Sequence, residues 1–182
     1  CSISGSNLTS TSAQTCVVTA TMAGGTNYNN VSSSATDVVF GKANQSTLTL
    51  TSTSGTFGST LSLTSSGGSS AGALSYVVNS GPCTVSGSTL SNSAAGTCSV
   101  TATMAGGTNY NNVSSSATDI TIAKADQNAL TITSTSAAFG ATLSLTTSGG
   151  SSAGAVTFAT ATAGCSISGS NLTSTSAQTC VV

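Results

Sequence analysis

Apolar residues alternate with Ser, Thr and other small polar residues along much of the chain, the period-2 pattern of half-buried strands. Between Gly/Ser/Asn clusters this alternation predicts a strand over Thr47–Ser52 (TLTLTS), with Leu48 and Leu50 on one face. A second covers Thr60–Thr64, with Leu61 and Leu63 inward, and Phe57 just before it is expected to plug the same core. Leu74–Asn79 follows, with Leu74, Tyr76 and Val78 alternating. Cys83–Ser86 and Thr89–Ser91 read as a hairpin about Gly87-Ser88. Thr97–Met104 sets Cys98, Val100, Ala102 and Met104 on one face, and Thr118–Ile122 turns Ile120 and Ile122 inward. Helix is not expected: β-branched Thr and Val abound and no 3.6-residue apolar stripe appears.

The same pattern returns along the chain. Cys1, Cys83 and Cys165 are spaced by 82 residues, as are Cys16, Cys98 and Cys180, and Lys42 and Lys124. Thr19–Asp37 (TATMAGGTNYNNVSSSATD) recurs unchanged at Thr101–Asp119. So long a period exceeds that of a helical solenoid or a propeller blade and suits one small β domain. Short strands separated by closely spaced turns predict an all-β fold of tandem immunoglobulin-like sandwiches. The division is then 1–41 as the C-terminal half of one repeat, 42–123 as a complete repeat, and 124–182 as the N-terminal part of the next. Residues 123–127 contain neither Gly nor Pro, so successive domains are expected to form a rod-like array. A longer period lies above the first, because residues 1–18 and 165–182 are identical (CSISGSNLTSTSAQTCVV). Either two domain types alternate or the sequence is a window on a continuing polymer. The window is favoured, since separate chains completing each other head to tail would have 1–18 and 165–182 competing for the same strands.

Composition narrows the chemistry. Only 3% of the residues are charged, with two Lys or Arg, three Asp or Glu and no His, against about a quarter in an ordinary domain. General acid–base catalysis draws on His, Glu and Asp with tuned pKa values, so an enzyme is not expected, and no cofactor with it. Nucleic-acid binding needs several phosphate-neutralising cations, and Lys42 and Lys124 do not supply them. No apolar run reaches the roughly 18 residues of a membrane span. Disorder is not expected either, given regular alternation, three Tyr, four Phe and a mean hydropathy of +0.28.

Val85-Ser86-Gly87 with Leu90, then Gly96–Thr103, then Ala105–Ser114 form a series of short motifs. In these the chain resembles the tandem Ig-like repeats of large bacterial surface proteins, the MBG and bacterial Ig-like families. The resemblance spans the complete domain and both partial copies. It implies a repeat module, used as a spacer as often as a binder. The near-absence of charge and the paired Cys depart from that pattern and point to a specialised assembly.

Six Cys in three C-x14-C pairs form a disulfide framework. The expected bonds are Cys1–Cys16, Cys83–Cys98 and Cys165–Cys180, with inter-chain bonds the alternative. A zinc site would need four ligands, and each repeat has one Cys pair and no His. Disulfides place the chain outside the reducing cytosol, in an extracellular or cell-surface setting. Sequons at Asn7, Asn30, Asn44, Asn112 and Asn171 are possible glycosylation sites, although such triplets arise by chance in so Ser/Thr/Asn-rich a chain. O-glycosylation of exposed Ser or Thr is a separate possibility. Tyr28 and Tyr110 stand in NYNN loops. They would serve as sugar contacts if exposed, or pack on the sandwich end like a tyrosine corner. Asp119 and Asp126 invite an interdomain calcium site, but calcium wants six to eight oxygens, which these residues do not provide.

The expected function is a structural repeat of a long extracellular protein that forms a filament or stalk on a microbial surface. Its partners would be neighbouring identical repeats or chains. Near-identical copies let one interface recur without closing, which makes filaments. The alternative is a carbohydrate- or host-binding adhesin module, with glycans as partners.

Overall fold

A computed structural model describes all of residues 1–182. It contains strands and no helix. The first stretch holds β1 (Ser2–Ser4), β2 (Asn7–Thr9), β3 (Gln14–Val18), β4 (Thr21–Met22), β5 (Val31–Ser32) and β6 (Thr36–Phe40). The middle stretch opens with β7 (Leu48–Leu50), β8 (Ser54–Thr56), β9 (Leu61–Ser62), β10 (Ser65–Gly67) and β11 (Leu74–Ser80). It continues with β12 (Cys83–Ser86), β13 (Thr89–Asn92), β14 (Gly96–Met104), β15 (Val113–Ser114) and β16 (Thr118–Ala123). The last holds β17 (Leu130–Ile132), β18 (Leu143–Ser144), β19 (Thr147–Gly149), β20 (Cys165–Ser168) and β21 (Asn171–Ser174). The chain divides into two compact units, Cys1–Ala125 and Asp126–Val182.

The middle stretch is built from several sheets around one core. One sheet runs β11-β14-β16-β8, with β15 also on β14. Opposite lie the three-stranded β12-β13-β9 sheet and the β10-β7 pair. This is the layered arrangement of the β-sandwich class. Alternation dictates what enters the core. Leu48 and Leu50 of β7, Leu90 of β13, Cys98, Val100 and Ala102 of β14, and Ile120 and Ile122 of β16 are all buried together with Leu63 and Cys83. Tyr76, Val78, Val85 and Met104 pack half-buried around them.

Several hairpin and ladder registers repeat with the sequence. The hairpin pairing Val85↔Leu90 and Ser86↔Thr89 recurs as Ile167↔Leu172 and Ser168↔Asn171, and as Ile3↔Leu8 and Ser4↔Asn7. The β14–β16 pairs Gly96↔Ile122 and Cys98↔Ile120 recur in β3–β6 as Gln14↔Phe40 and Cys16↔Val38. A loop detail follows the same period. Gly67 and Gly149 both have φ of 92°, a conformation glycine adopts without strain. A Cβ there would run into the carbonyl of Thr47 or Ala129 respectively.

Several expectations are corrected. Phe57 does not plug the core; it is 43% exposed. The strand before it, β8, lies parallel to β16, and the Phe57 N–H is spent on the Ala123 carbonyl at 2.8 Å. Ile122 fills the interior there instead, so close that a Cβ on Gly55 would sit 3.2 Å from its Cδ1. The strand foreseen over Thr47–Ser52 stops at Leu50, and the chain re-forms as β8 in the other sheet. Leu74 opens β11, paired with Met104, but is exposed.

Candidate functional site

The three disulfides join Cys1 to Cys16, Cys83 to Cys98 and Cys165 to Cys180, with Cα–Cα distances of 5.9, 6.0 and 6.0 Å. No cysteine is left free. Cys83 opens the β12–β13 hairpin and Cys98 lies in β14, so that bond closes a short loop between two sheets. Cys98 is wholly buried and Cys83 nearly so, which makes the bond part of the apolar core. Three such bonds point to a non-reducing environment. No helix is long and apolar enough to cross a membrane.

All five sequon asparagines, Asn7, Asn30, Asn44, Asn112 and Asn171, are exposed. Three of them have structural work to do. Asn30 Oδ1 accepts the Gly24 N–H at 2.7 Å, and Asn112 Oδ1 accepts the Gly106 N–H at 2.7 Å. Each closes its AGGTNYNN loop on itself in the same way. Asn44 Oδ1 accepts from Asn111 Nδ2 at 2.9 Å.

That last bond belongs to a cluster around the start of the middle repeat. The chain at Ala43 runs beside Tyr110, with the Ala43 N–H on the Asn109 carbonyl and the Asn111 N–H on the Ala43 carbonyl, both at 2.9 Å. Asn109 Oδ1 reaches back to accept the Ala13 N–H at 2.9 Å. One loop therefore grips both the linker and the preceding half-repeat. Next to it, Gln45 is a hub. Its Oε1 accepts the N–H groups of Ser69 and Ser70, each at 2.9 Å. Its Nε2 donates to the carbonyl of Asn111 at 2.8 Å and, at longer range, to those of Met104 and Ala105. Gln127 repeats half of this, accepting from Ser151 and Ser152 at 3.1 and 3.2 Å. In this way the loop N–H groups of Ser69 and Ser70 and the Asn111 carbonyl find partners.

Neither Gln45 nor Asn109 was singled out by sequence reasoning. The signal was present in the 82-residue recurrence of Gln45 as Gln127, because an uncharged polar residue at the same place in both copies answers a local backbone demand.

The tyrosines part company. Tyr28 is 83% exposed, whereas Tyr110 is half-buried against the linker. The tyrosine whose hydroxyl bonds to backbone is Tyr76, at 3.3 Å from the Leu63 carbonyl. Asp119 and Asp126 join no group of three metal-binding side chains. A cavity of about 580 Å³ lies in the unit Asp126–Val182 between Ile132, Leu143, Leu145, Leu172 and Val182. Its walls are apolar side chains, Ser or Thr hydroxyls and the Gln178 amide. No protein-family model, curated protein or solved structure matches the chain.

Proposed function

We propose that the chain is a structural repeat of a long extracellular protein, forming a filament or stalk on a microbial surface, and that its modules are Ig-like and of the MBG or bacterial Ig-like kind. The observation that carries this reading is the recurrence of strands, registers and disulfides at one fixed period, with the Asn109 loop gripping the linker and the half-repeat before it. A module whose loop also holds the half-repeat before it is suited to transmit length. A catalyst needs groups that donate and accept protons, and this chain has three carboxylates, Asp37, Asp119 and Asp126, and no imidazole. Low charge also removes the repulsion that would hold lateral neighbours apart.

The adhesin reading has Tyr28 in its favour, an exposed aromatic in an Asn-rich loop. Its equivalent Tyr110 is half-buried at the joint, which argues that the loop's repeated role is mechanical. Electron microscopy of the native material tests the proposal: unbranched filaments or stalks support it. Dispersed monomers that bind a defined glycan with millimolar or better affinity overturn it.

A further inference from the structure

The sheet β11-β14-β16-β8 of the middle repeat ends in two unlike edges. At one, β8 is three residues long and reads Ser-Gly-Thr. At the other, β11 runs for seven residues, Leu74–Ser80, without a charge or a Pro. Short strands, Lys and Pro keep sheet edges from pairing with other chains, and β11 uses none of them. The free backbone groups of this edge follow from the ladder. The Ala105 N–H donates to the Ala73 carbonyl at 2.9 Å, just before β11 begins. Bonded and non-bonded pairs alternate along an antiparallel ladder. Ser75↔Thr103 and Val77↔Thr101 are therefore the bonded pairs, and the backbone groups of Leu74, Tyr76 and Val78 face away from β14. No other backbone group bonds them. Side chains alternate in step: Tyr76 and Val78 pack on the core, and Val77 stands outward, 60% exposed.

We propose that β11 of a second copy of this chain pairs with this edge, antiparallel and centred on Val77. The strand's own symmetry argues for that occupant. Turned about Val77, β11 sets Tyr76 opposite Val78, Ser75 opposite Asn79 and Val77 opposite itself. Core-facing residues then meet core-facing residues, and outward ones meet outward ones. Each Tyr76 N–H donates to the Val78 carbonyl of the other copy, and each Val78 N–H to the Tyr76 carbonyl. These are the groups that the edge leaves free. The two Val77 side chains meet in a non-bonded pair, where side chains come closest, and their burial adds an apolar gain. The register shift between Val78 and Ser80 confines the ladder to the middle of the strand. Neither β11 nor β14 carries a charged residue, so no like charges meet in the pairing. The contact is isologous, so it joins chains in pairs and closes. It gives the filament reading above a lateral contact and rests on that reading only for its setting.

The test uses the 182-residue chain carrying Val77→Cys, mildly oxidised and mapped by mass spectrometry. A 77–77 disulfide can join only two copies, and its ready formation is the expected result. Thr121→Cys, exposed on the same sheet but flanked by β14 and β8, should form no such bond. In the unaltered chain, hydrogen exchange at the Tyr76 and Val78 N–H groups should slow as protein concentration rises, while the Val77 N–H, bonded to β14, is protected throughout. Val77→Lys sets like charges opposite each other. It is expected to weaken dimerisation about tenfold in sedimentation equilibrium and to leave thermal unfolding unchanged. A 77–77 bond no more frequent than a 121–121 bond, exchange at Tyr76 and Val78 indifferent to concentration, or undiminished dimers of the Lys variant would overturn the pairing. Filaments in native material beside any of these results leave the filament reading standing; native material without filaments overturns that reading and not the pairing.

Discussion

The Ala13 backbone N–H donates to Asn109 Oδ1 across 2.9 Å, joining residues that stand in different repeats. Asn109 also accepts the Ala43 N–H on its own carbonyl, so one residue holds both the linker and the half-repeat before it. Side chain and backbone divide the work, which lets the two be tested apart.

Asn109→Ala removes the side-chain bond and keeps the backbone one. A single such bond contributes about 1 kcal/mol. The expected outcome is a broadened distance distribution between spin labels placed in residues 1–41 and in the middle repeat. The cooperative unfolding of the middle repeat should shift little.

Gln45→Ala should act differently, because Ser69 and Ser70 lose their shared acceptor and Asn111 loses a donor. Orphaned backbone groups cost about 1–3 kcal/mol each when water cannot replace the partner. Ser70 is partly buried, so a loss of about 2 kcal/mol for the middle repeat is expected in urea titration. Hydrogen exchange should quicken first at Ser69 and Ser70.

These two residues show what the sequence conceals. Leu48, Leu50, Val100, Ile120 and Ile122 were legible as core because an alternating apolar residue has one good place to go. The cysteine pairing was legible because spacing and hairpin agreed. The strand Ser54–Thr56 was not, since Ser-Gly-Thr has no apolar alternation and owes its extended form to β16 arriving alongside. Phe57 misled for the opposite reason: an apolar residue suggests burial, but its position at the end of that strand is fixed by neighbours distant in sequence. Gln45 looked like any linker residue, because its role depends on loops 24 to 66 residues away in sequence.

Reduction should separate two of the three disulfides. Cys98 is fully buried, whereas both Cys165 and Cys180 are half-buried. Thiol labelling after graded reductant should therefore find Cys165–Cys180 opening before Cys83–Cys98. Closing a loop of this length stabilises by about 3 kcal/mol in the chain-entropy model. Full reduction should lower the unfolding midpoint of the middle repeat accordingly.

Core truncation should distinguish the two equivalent strands. Ile120→Ala removes a fully buried side chain, and a cost of about 2–5 kcal/mol is expected. Val38→Ala, at the equivalent place in β6, should cost under about 1 kcal/mol in the isolated chain, because the side chain is partly solvated there. Thermal unfolding of the two variants at low protein concentration checks the contrast.

The central claim is that the array is itself the product. Cryo-electron microscopy of native material tests it most directly. The account predicts unbranched filaments or stalks in which β-sandwiches follow one another head to tail, each carrying one disulfide at the same place. Isolated monomers that do not assemble, and that bind a defined glycan through the Tyr28 loop, would contradict it.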